Sequence, residues 1–245
     1  MSCALAETMP EKTVGVAFSG GVDSSLLAVL CGRAGKDVTL LTVGFEGSHD
    51  LGFSTQISRT LKISHKTATL SDQEFQQDIA AVKALISCRN TSHVENCIAF
   101  RSIVRLARQN KLDIVLSANG LDELFCGYNG YRLVYGRGEG AIMELMQEKI
   151  ANELELVREI TRTTKEYEVS VRQPFLSDSF IQYSKKIPLA DKITGEDDMM
   201  RKHAIRRAAL ELGVAAESAL KRKKALQYGS LIDKRYKTEL KKAWR

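Results

Sequence analysis

The stretch Ser19-Gly20-Gly21-Val22-Asp23-Ser24-Ser25 constrains this chain more than any other feature. Ahead of it, residues 13–18 are apolar and rich in β-branched side chains; after it, residues 24–32 are apolar nearly all round. That order predicts a buried strand, a sharp turn and a buried helix. Two glycines let the backbone turn tightly and approach an anion, and the N–H groups at the helix start face that anion with the favourable end of the dipole. Ser19, Ser24 and Ser25 add hydroxyl donors. No Gly-Lys-Ser/Thr follows, so this is not a Walker loop. Asp23 stands where a phosphate cradle wants donors only, and a carboxylate tolerated beside polyphosphate is one that holds Mg²⁺. The competing reading is a plain strand-to-helix turn with Asp23 as a helix cap.

The pattern then alternates. Residues 38–45 and 65–70 read as strands, 53–61, 71–86 and 95–109 as helices, and 113–117 as a further buried strand. This rhythm predicts an α/β fold, a parallel twisted sheet flanked by helices. Beyond Tyr131, Ile142, Met146, Ile150, Leu154 and Val157 step by three or four and strand signals nearly vanish. The expected organisation is an α/β core over residues 1–135 and a mostly helical part over 136–245 that completes the site.

Composition narrows the class. A hydrophobic share of 44% with only 3 prolines and no low-complexity stretch argues for an ordered chain. No window reaches the ~20 apolar residues of a membrane span, and the first dozen or so residues lack the basic and apolar runs of a secretory signal. Cys3, Cys31, Cys88, Cys97 and Cys126 form no C-x-x-C pair, which fits thiols in a reducing, cytoplasmic compartment. The charge of +6 is concentrated in residues 221–224 and 234–245. A solvated face or a positive field beside polyphosphate explains it, with nucleic acid the weaker alternative.

The glycine loop resembles the S-G-G-x-D-S-S signature of the N-type ATP pyrophosphatases, the PP-loop superfamily, whose fold is adenine nucleotide alpha hydrolase-like. The resemblance implies that a substrate oxygen attacks the α-phosphorus of ATP, releasing pyrophosphate and leaving an adenylate for a nucleophile to break. Further segments are similar to the synthetase half of asparagine synthetase, in its order. Val43-Gly44-Phe45-Glu46-Gly47-Ser48-His49-Asp50 resembles V-G-F-x-x-S-x-D. The run from Ser117 through Asn119, Gly120, Asp122 and Glu123 to Tyr128 resembles S-G-E-G-S-D-E-x-F-G-G-Y. Val171-Arg172-Gln173-Pro174-Phe175-Leu176 resembles E-x-R-x-P-F-L-D, Lys202-His203-Ala204-Ile205-Arg206 resembles K-x-x-L-R, and Arg222-Lys223-Lys224 resembles R-x-K. By this likeness the glycine loop grips pyrophosphate, the backbone of Val43 meets adenine, and Ser117, Ala118 and Gly120 line the adenosine pocket. Asp23 and Asp122 hold Mg²⁺, with helix capping the competing reading for Asp122. Lys202 and Lys224 neutralise phosphate charge, or singly are surface lysines, and Arg172 and Asn119 face the acceptor.

Two departures matter. The asparagine synthetase glutaminase domain is not expected here, since Cys3 follows Ser2 and the ATP loop begins at once; ammonia would come from solution or a separate glutaminase subunit, or the nucleophile is another amine. Asn119 replaces the family glutamate that helps deprotonate ammonia, and an amide cannot be a general base, though it can position a substrate. Ser170 replaces the acidic residue that flanks Arg172 and Ser177 the one that ends the P-F-L-D segment, with Asp178 next to it. The expectation is an AMP- and pyrophosphate-forming ligase or amidotransferase of asparagine biosynthesis type, compatible with a homodimer. The alternatives are a PP-loop tRNA-modifying enzyme or a non-catalytic ATP-binding subunit.

Overall fold

The structure is a computed structural model that describes residues 10–87, 90–221 and 226–243. β1 (Thr13–Ala17) leads into α1 (Val22–Arg33), β2 (Asp37–Gly44) into α2 (His49–Leu61), and β3 (Ser64–Thr69) into α3 (Asp72–Leu85) and α4 (Thr91–Gln109). β4 (Ile114–Leu116) is followed by the short α5 (Leu121–Leu124) and α6 (Asn129–Val134), then by the long α7 (Glu139–Thr164). β5 (Ser170–Arg172), α8 (Asp178–Lys185), α9 (His203–Glu211), α10 (Ala216–Ala219), α11 (Leu226–Gly229) and α12 (Ile232–Ala243) complete it. Among the described residues no helix is long and apolar enough to cross a membrane.

The five strands are all parallel, in the order β3-β2-β1-β4-β5. Each face is covered, as a parallel sheet requires. Val14, Val16, Leu40 and Leu116 pack on one side with Leu26 and Leu27 of α1 and Ile205 and Ala209 of α9. Leu41, Val43 and Val115 point the other way, against α3, α4 and Ile232 of α12. The expected buried helix after the glycine loop is α1, whose buried residues include Val22, Ser24, Ser25, Leu26, Leu27, Ala28, Leu30 and Cys31. α4 starts ahead of the expected residue 95 because Asn90 caps it, its side chain accepting from the Ser92 N–H at 3.0 Å.

Two details depart from the sequence reading. β5, which pairs Val115 with Val171 and Leu116 with Arg172, comes from the part of the chain where strand signals had faded. Three residues are too few to show a period of two, so the sheet takes its last strand from beyond residue 135 without local warning. On α7 the buried face is Ile142, Met146, Glu153, Leu156 and Ile160, whereas Leu154 is 37% exposed. Each step of four residues overshoots a turn by about 40°, so a stripe of fours rotates off the core and a step of three restores it. That correction places Glu153 on the buried face.

α7 is locked to the core by a buried ion cluster. Arg101 Nε donates to Asp78 Oδ1 at 2.9 Å, Arg105 Nη2 to Asp78 Oδ2 at 2.6 Å, and Arg101 Nη1 to the Thr163 carbonyl on α7 at 2.6 Å. Asp78 is 1% exposed and Arg101 4%. Removing one member strands buried charge. Asp78→Ala is therefore expected to lower stability by about 3–5 kcal/mol, read as a reduced urea midpoint with an unchanged slope.

Candidate active site

The strand order reverses around β1 and β4, and the chains leaving their C-terminal ends diverge, opening the crevice in which open α/β sheets bind ligands. A cleft of about 1040 Å³ lies there. Ser19, Gly21, Asp23 and Ser24 line it from the first loop, and Ser117, Ala118, Asn119 and Asp122 from the loop after β4. α7 adds Glu148, Lys149 and Glu153, and the C-terminal part adds Arg201, Lys202 and Lys221.

The glycine loop is shaped before any ligand arrives. Gly20 has φ +78°, a left-handed conformation, and a Cβ there would press on the Phe53 ring and the Ser54 backbone. Ser24 Oγ donates to the Gly21 carbonyl at 3.2 Å and lies 3.3 Å from the Ser19 N–H that it accepts. From α10, Ser218 Oγ donates to the Gly20 carbonyl at 2.7 Å and lies 3.0 Å from Ser25 Oγ. These bonds hold the loop from inside, and the first turn of α1 carries the unpaired helix-start N–H groups that suit an anion.

Facing the loop is a buried ammonium. Lys202 Nζ lies 2.6 Å from Asp23 Oδ2 and 2.9 Å from Asp122 Oδ1, and the side chain is 1% exposed. Burial alone would lower its pKa, but the attraction and hydrogen bonds of Asp122 and Asp23 more than offset this and raise it above the ordinary lysine value. Gly127 permits the packing, because a Cβ there would overlap the Asp122 carboxylate.

Backbone strain presents the lysine. Arg201 and Lys202 both lie in the left-handed region, φ +49° and +53°. Asp198 Oδ1 accepts from the Met200 N–H at 3.0 Å and the Arg201 N–H at 2.8 Å, and Oδ2 from the Thr194 N–H at 3.0 Å. Arg206 closes the turn from α9: Nη2 donates to the Met200 carbonyl at 2.8 Å, Nε to that of Arg201 at 2.9 Å, and Nη1 to those of Ala219 at 2.5 Å and Lys221 at 3.0 Å.

The other end of the cleft is built of amides and acids. Asn119 accepts a hydrogen bond from Ser117 Oγ and donates through Nδ2 to Glu153 Oε1. Glu123, 2% exposed, accepts from the Gly120 N–H at 3.0 Å and from the Tyr128 hydroxyl at 2.5 Å. Burial first, then the carboxylates of Glu123, Asp122 and Glu153, push the Tyr128 hydroxyl well above its ordinary pKa.

The structure thus brings together Ser19, Gly21, Asp23, Ser24, Ser117, Ala118, Asn119, Asp122 and Lys202 on one cleft. Gly20 and Ser25 back the loop from beneath, and Gly120, left-handed at φ +105°, starts α5. Two others lie elsewhere. Val43 is fully buried in β2, and Arg172, at the end of β5, makes a bidentate pair with Glu11, both contacts 3.0 Å. Lys224 falls outside the described residues. Sequence reasoning overlooked Glu153, hidden by the drifting stripe, and a Lys221–His49–Asp50 chain. There Lys221 Nζ donates to His49 Nε2 at 2.8 Å, His49 Nδ1–H to Asp50 Oδ1 at 3.0 Å, and Nζ stands 3.2 Å over the Phe53 ring.

Asp23 and Asp122 reach one cation from separate strands, so their oxygens already converge on a point that suits a hard metal ion. Among the described residues no three His, Cys, Asp or Glu side chains cluster as a metal cage. Two carboxylates completed by phosphate oxygens and water are what Mg²⁺ takes, so the donor set fits that ion.

An open parallel sheet with a glycine loop at its switch point defines an α/β protein of the open-sheet class, whose members bind ligands at the C-terminal ends of the strands. The chain belongs to the asparagine synthase family, whose model, described as "Asparagine synthase", matches residues 4–167. It is 29% identical over 184 residues to a putative glutamine-hydrolyzing asparagine synthetase of Methanocaldococcus jannaschii, covering 74% of this chain and 34% of that protein. It is 27% identical over 214 residues to asparagine synthetase 1 of Arabidopsis thaliana, covering 82% and 36%. The chain thus spans about a third of the length of these relatives. Among solved structures it matches an NMN synthetase from Francisella tularensis at 16% identity and TM-score 0.40, over 97% of this chain and 90% of that one.

Asp198 offers a test of how the lysine is presented. Burial tends to raise its carboxyl, but donors from Arg201, Thr194 and His203 outweigh this and hold it at about 2. An unfolded aspartate titrates near 3.9. Its contribution is therefore complete above roughly pH 4 and lost as pH falls through about 2. Asp198→Asn should melt below wild type at neutral pH, with the gap narrowing across that acid window in a calorimetric series.

Proposed function

We propose that this protein is an ATP-dependent, AMP- and pyrophosphate-forming ligase of the asparagine synthetase type. The observation that carries the reading is the convergence of Asp23, Asp122 and Lys202 on one point at the mouth of the glycine loop. An acceptor oxygen, carboxylate or amide, attacks the α-phosphorus of ATP; the bond from that phosphorus to the bridging oxygen breaks and pyrophosphate leaves. Ammonia or an amine then attacks the activated carbon and AMP departs. The nitrogen reaches the site from solution or from a separate glutaminase subunit.

The loop N–H groups and the serine hydroxyls bind the pyrophosphate part. Asp23 and Asp122 would hold Mg²⁺, which when bound supplies positive charge against the polyphosphate. Lys202 is a fixed cation, withdrawn from water, beside the place where phosphate charge grows; such preorganised charge is a large lever in a dry site. Lys221 extends the positive lining. The tRNA-thiolation alternative draws no support from Cys97 or Cys126: both are buried, and burial pushes the Cys126 thiol up to about 12.

Mg-ATP with a panel of amino acids, dicarboxylic acids and amides should give AMP and pyrophosphate with at least one acceptor. Lys202→Met and Asp23→Asn are each expected to slow pyrophosphate formation by about 10²–10³-fold, the scale of losing one charge-stabilising group, while circular dichroism shows a folded protein. Production of ADP and phosphate alone by wild type would refute this reading.

A further inference from the structure

We propose that Glu153 is the catalytic base for the second half of the reaction, taking the proton of the attacking nitrogen in place of the acid that Asn119 lacks. The inference rests on the ligase reading above and deepens it. Three independent observations meet on this residue.

The first is its position on α7. Ile142, Met146, Leu156 and Ile160 share its buried face, so the helix period calls for an apolar side chain there. A carboxylate instead occupies the position at 5% exposure and lines the cleft. A lone carboxylate on an apolar stripe costs stability unless hydrogen bonded, and such local conflicts concentrate at functional sites.

The second is its partner. The Ser117 hydroxyl bonds to Asn119 Oδ1, which turns the amide so that Nδ2 points at Glu153 Oε1. Asn119 occupies the motif position of an acid, cannot accept a proton itself, and is held in the orientation that grips a carboxylate from another element. The negative charge is therefore present at this end of the cleft, supplied by α7 rather than by the loop after β4.

The third is the division of labour among the neighbouring acids. Asp122 is engaged with Lys202, and Glu123 with the Gly120 N–H and the Tyr128 hydroxyl. His93 also lines this region, but Glu159 holds its Nδ1 at 2.7 Å, and its Nε2, buried without a hydrogen-bond partner among the described residues, makes no bond to Asn119. Of these groups Glu153 alone combines a carboxylate, a place on the cleft wall and a bond to the residue standing where the family acid would be.

The step balances. The nitrogen lone pair forms the C–N bond to the acyl carbon, and the surplus proton on that nitrogen passes to a Glu153 oxygen. The C–O bond to AMP then breaks with its electron pair on the phosphate oxygen, and Glu153 returns the proton to solvent.

The test separates the two half-reactions, using whichever acid of the panel supports ATP–pyrophosphate exchange in wild type. Glu153→Gln should lower ammonia-dependent amide formation by about 10²–10⁴-fold, the range of a general base, while exchange falls less than about tenfold. Its pH–rate profile should lose the acidic limb. Hydroxylamine, a nucleophile that needs less help with its proton, should recover much of the loss. Asn119→Glu combined with Glu153→Gln should restore amide formation by returning an acid to the loop, and His93→Asn should behave as wild type. Equal loss of exchange and amide formation in Glu153→Gln, or amide formation that persists in it, overturns the assignment, as does a His93→Asn variant that loses the second step alone. Absence of exchange with every acid in wild type removes the ligase reading itself.

Discussion

Lys202 is the joint on which the site depends. A lysine withdrawn from water keeps its charge only when carboxylates offset the lost hydration, and the two that do so are 179 and 80 residues away in sequence. The Arg206 guanidinium also feels both carboxylates, so charges of both signs converge at this point. A buried ion cluster is weak evidence of stability, because its desolvation competes with its attraction. The left-handed turn at Arg201 and Lys202 adds a cost of about 1–3 kcal/mol per residue. Asp198 and Arg206 oppose that cost with bonds to the same turn. Groups held at such expense in a cleft are arranged for a ligand.

The cleft is polarised from end to end. At the glycine loop stand a helix start, Lys202 and Lys221, the last held by His49, which Asp50 orients in turn. At the far end the lining turns to amides and acids through Asn119, Glu123, Tyr128 and Glu153. On the basic C-terminal helix Arg235 pairs with Asp72, Lys237 with Asp233 and Lys242 with Glu239, the behaviour of a solvated face.

The parts of the fold with strong local patterns were legible in the sequence: the strand, glycine turn and all-round apolar helix, the alternation through β4, and the long α7. Asp23, Asp122 and Lys202 were picked out through motif resemblance alone, since no periodicity joins positions so far apart, and the fold brings the three together on one cleft. β5 was hidden because Ser170-Val171-Arg172 is too short to carry a period and is recruited by the edge of β4. Glu153 was hidden because the stripe of fours pointed to Leu154, and only packing shows which side of the helix the core selects. Arg172 reads as an acceptor contact in the motif, yet Glu11, 161 residues earlier, holds its guanidinium. No local signal foretells a partner that tertiary structure alone supplies.

The sheet explains why the two carboxylates that meet Lys202 can be placed so finely. β1 pairs with β4, Gly15 opposite Val115 and Val16 opposite Leu116, so the loops carrying Asp23 and Asp122 spring from adjacent strands about 4.8 Å apart. β5 then bonds to the far side of β4, and α7, arriving just before it, is tied to α4 through Arg101 and the Thr163 carbonyl. The wall bearing Glu153 and the loop bearing Asn119 are therefore tied together through the β4–β5 pairing and the Arg101 bond to α7. Slipping β4 by one residue would exchange Val115 with Ile114 or Leu116 between the two differently packed cores and part Asp23, Asp122 and Asn119 from their partners at once. The register that buries the core is thus the register that assembles the site.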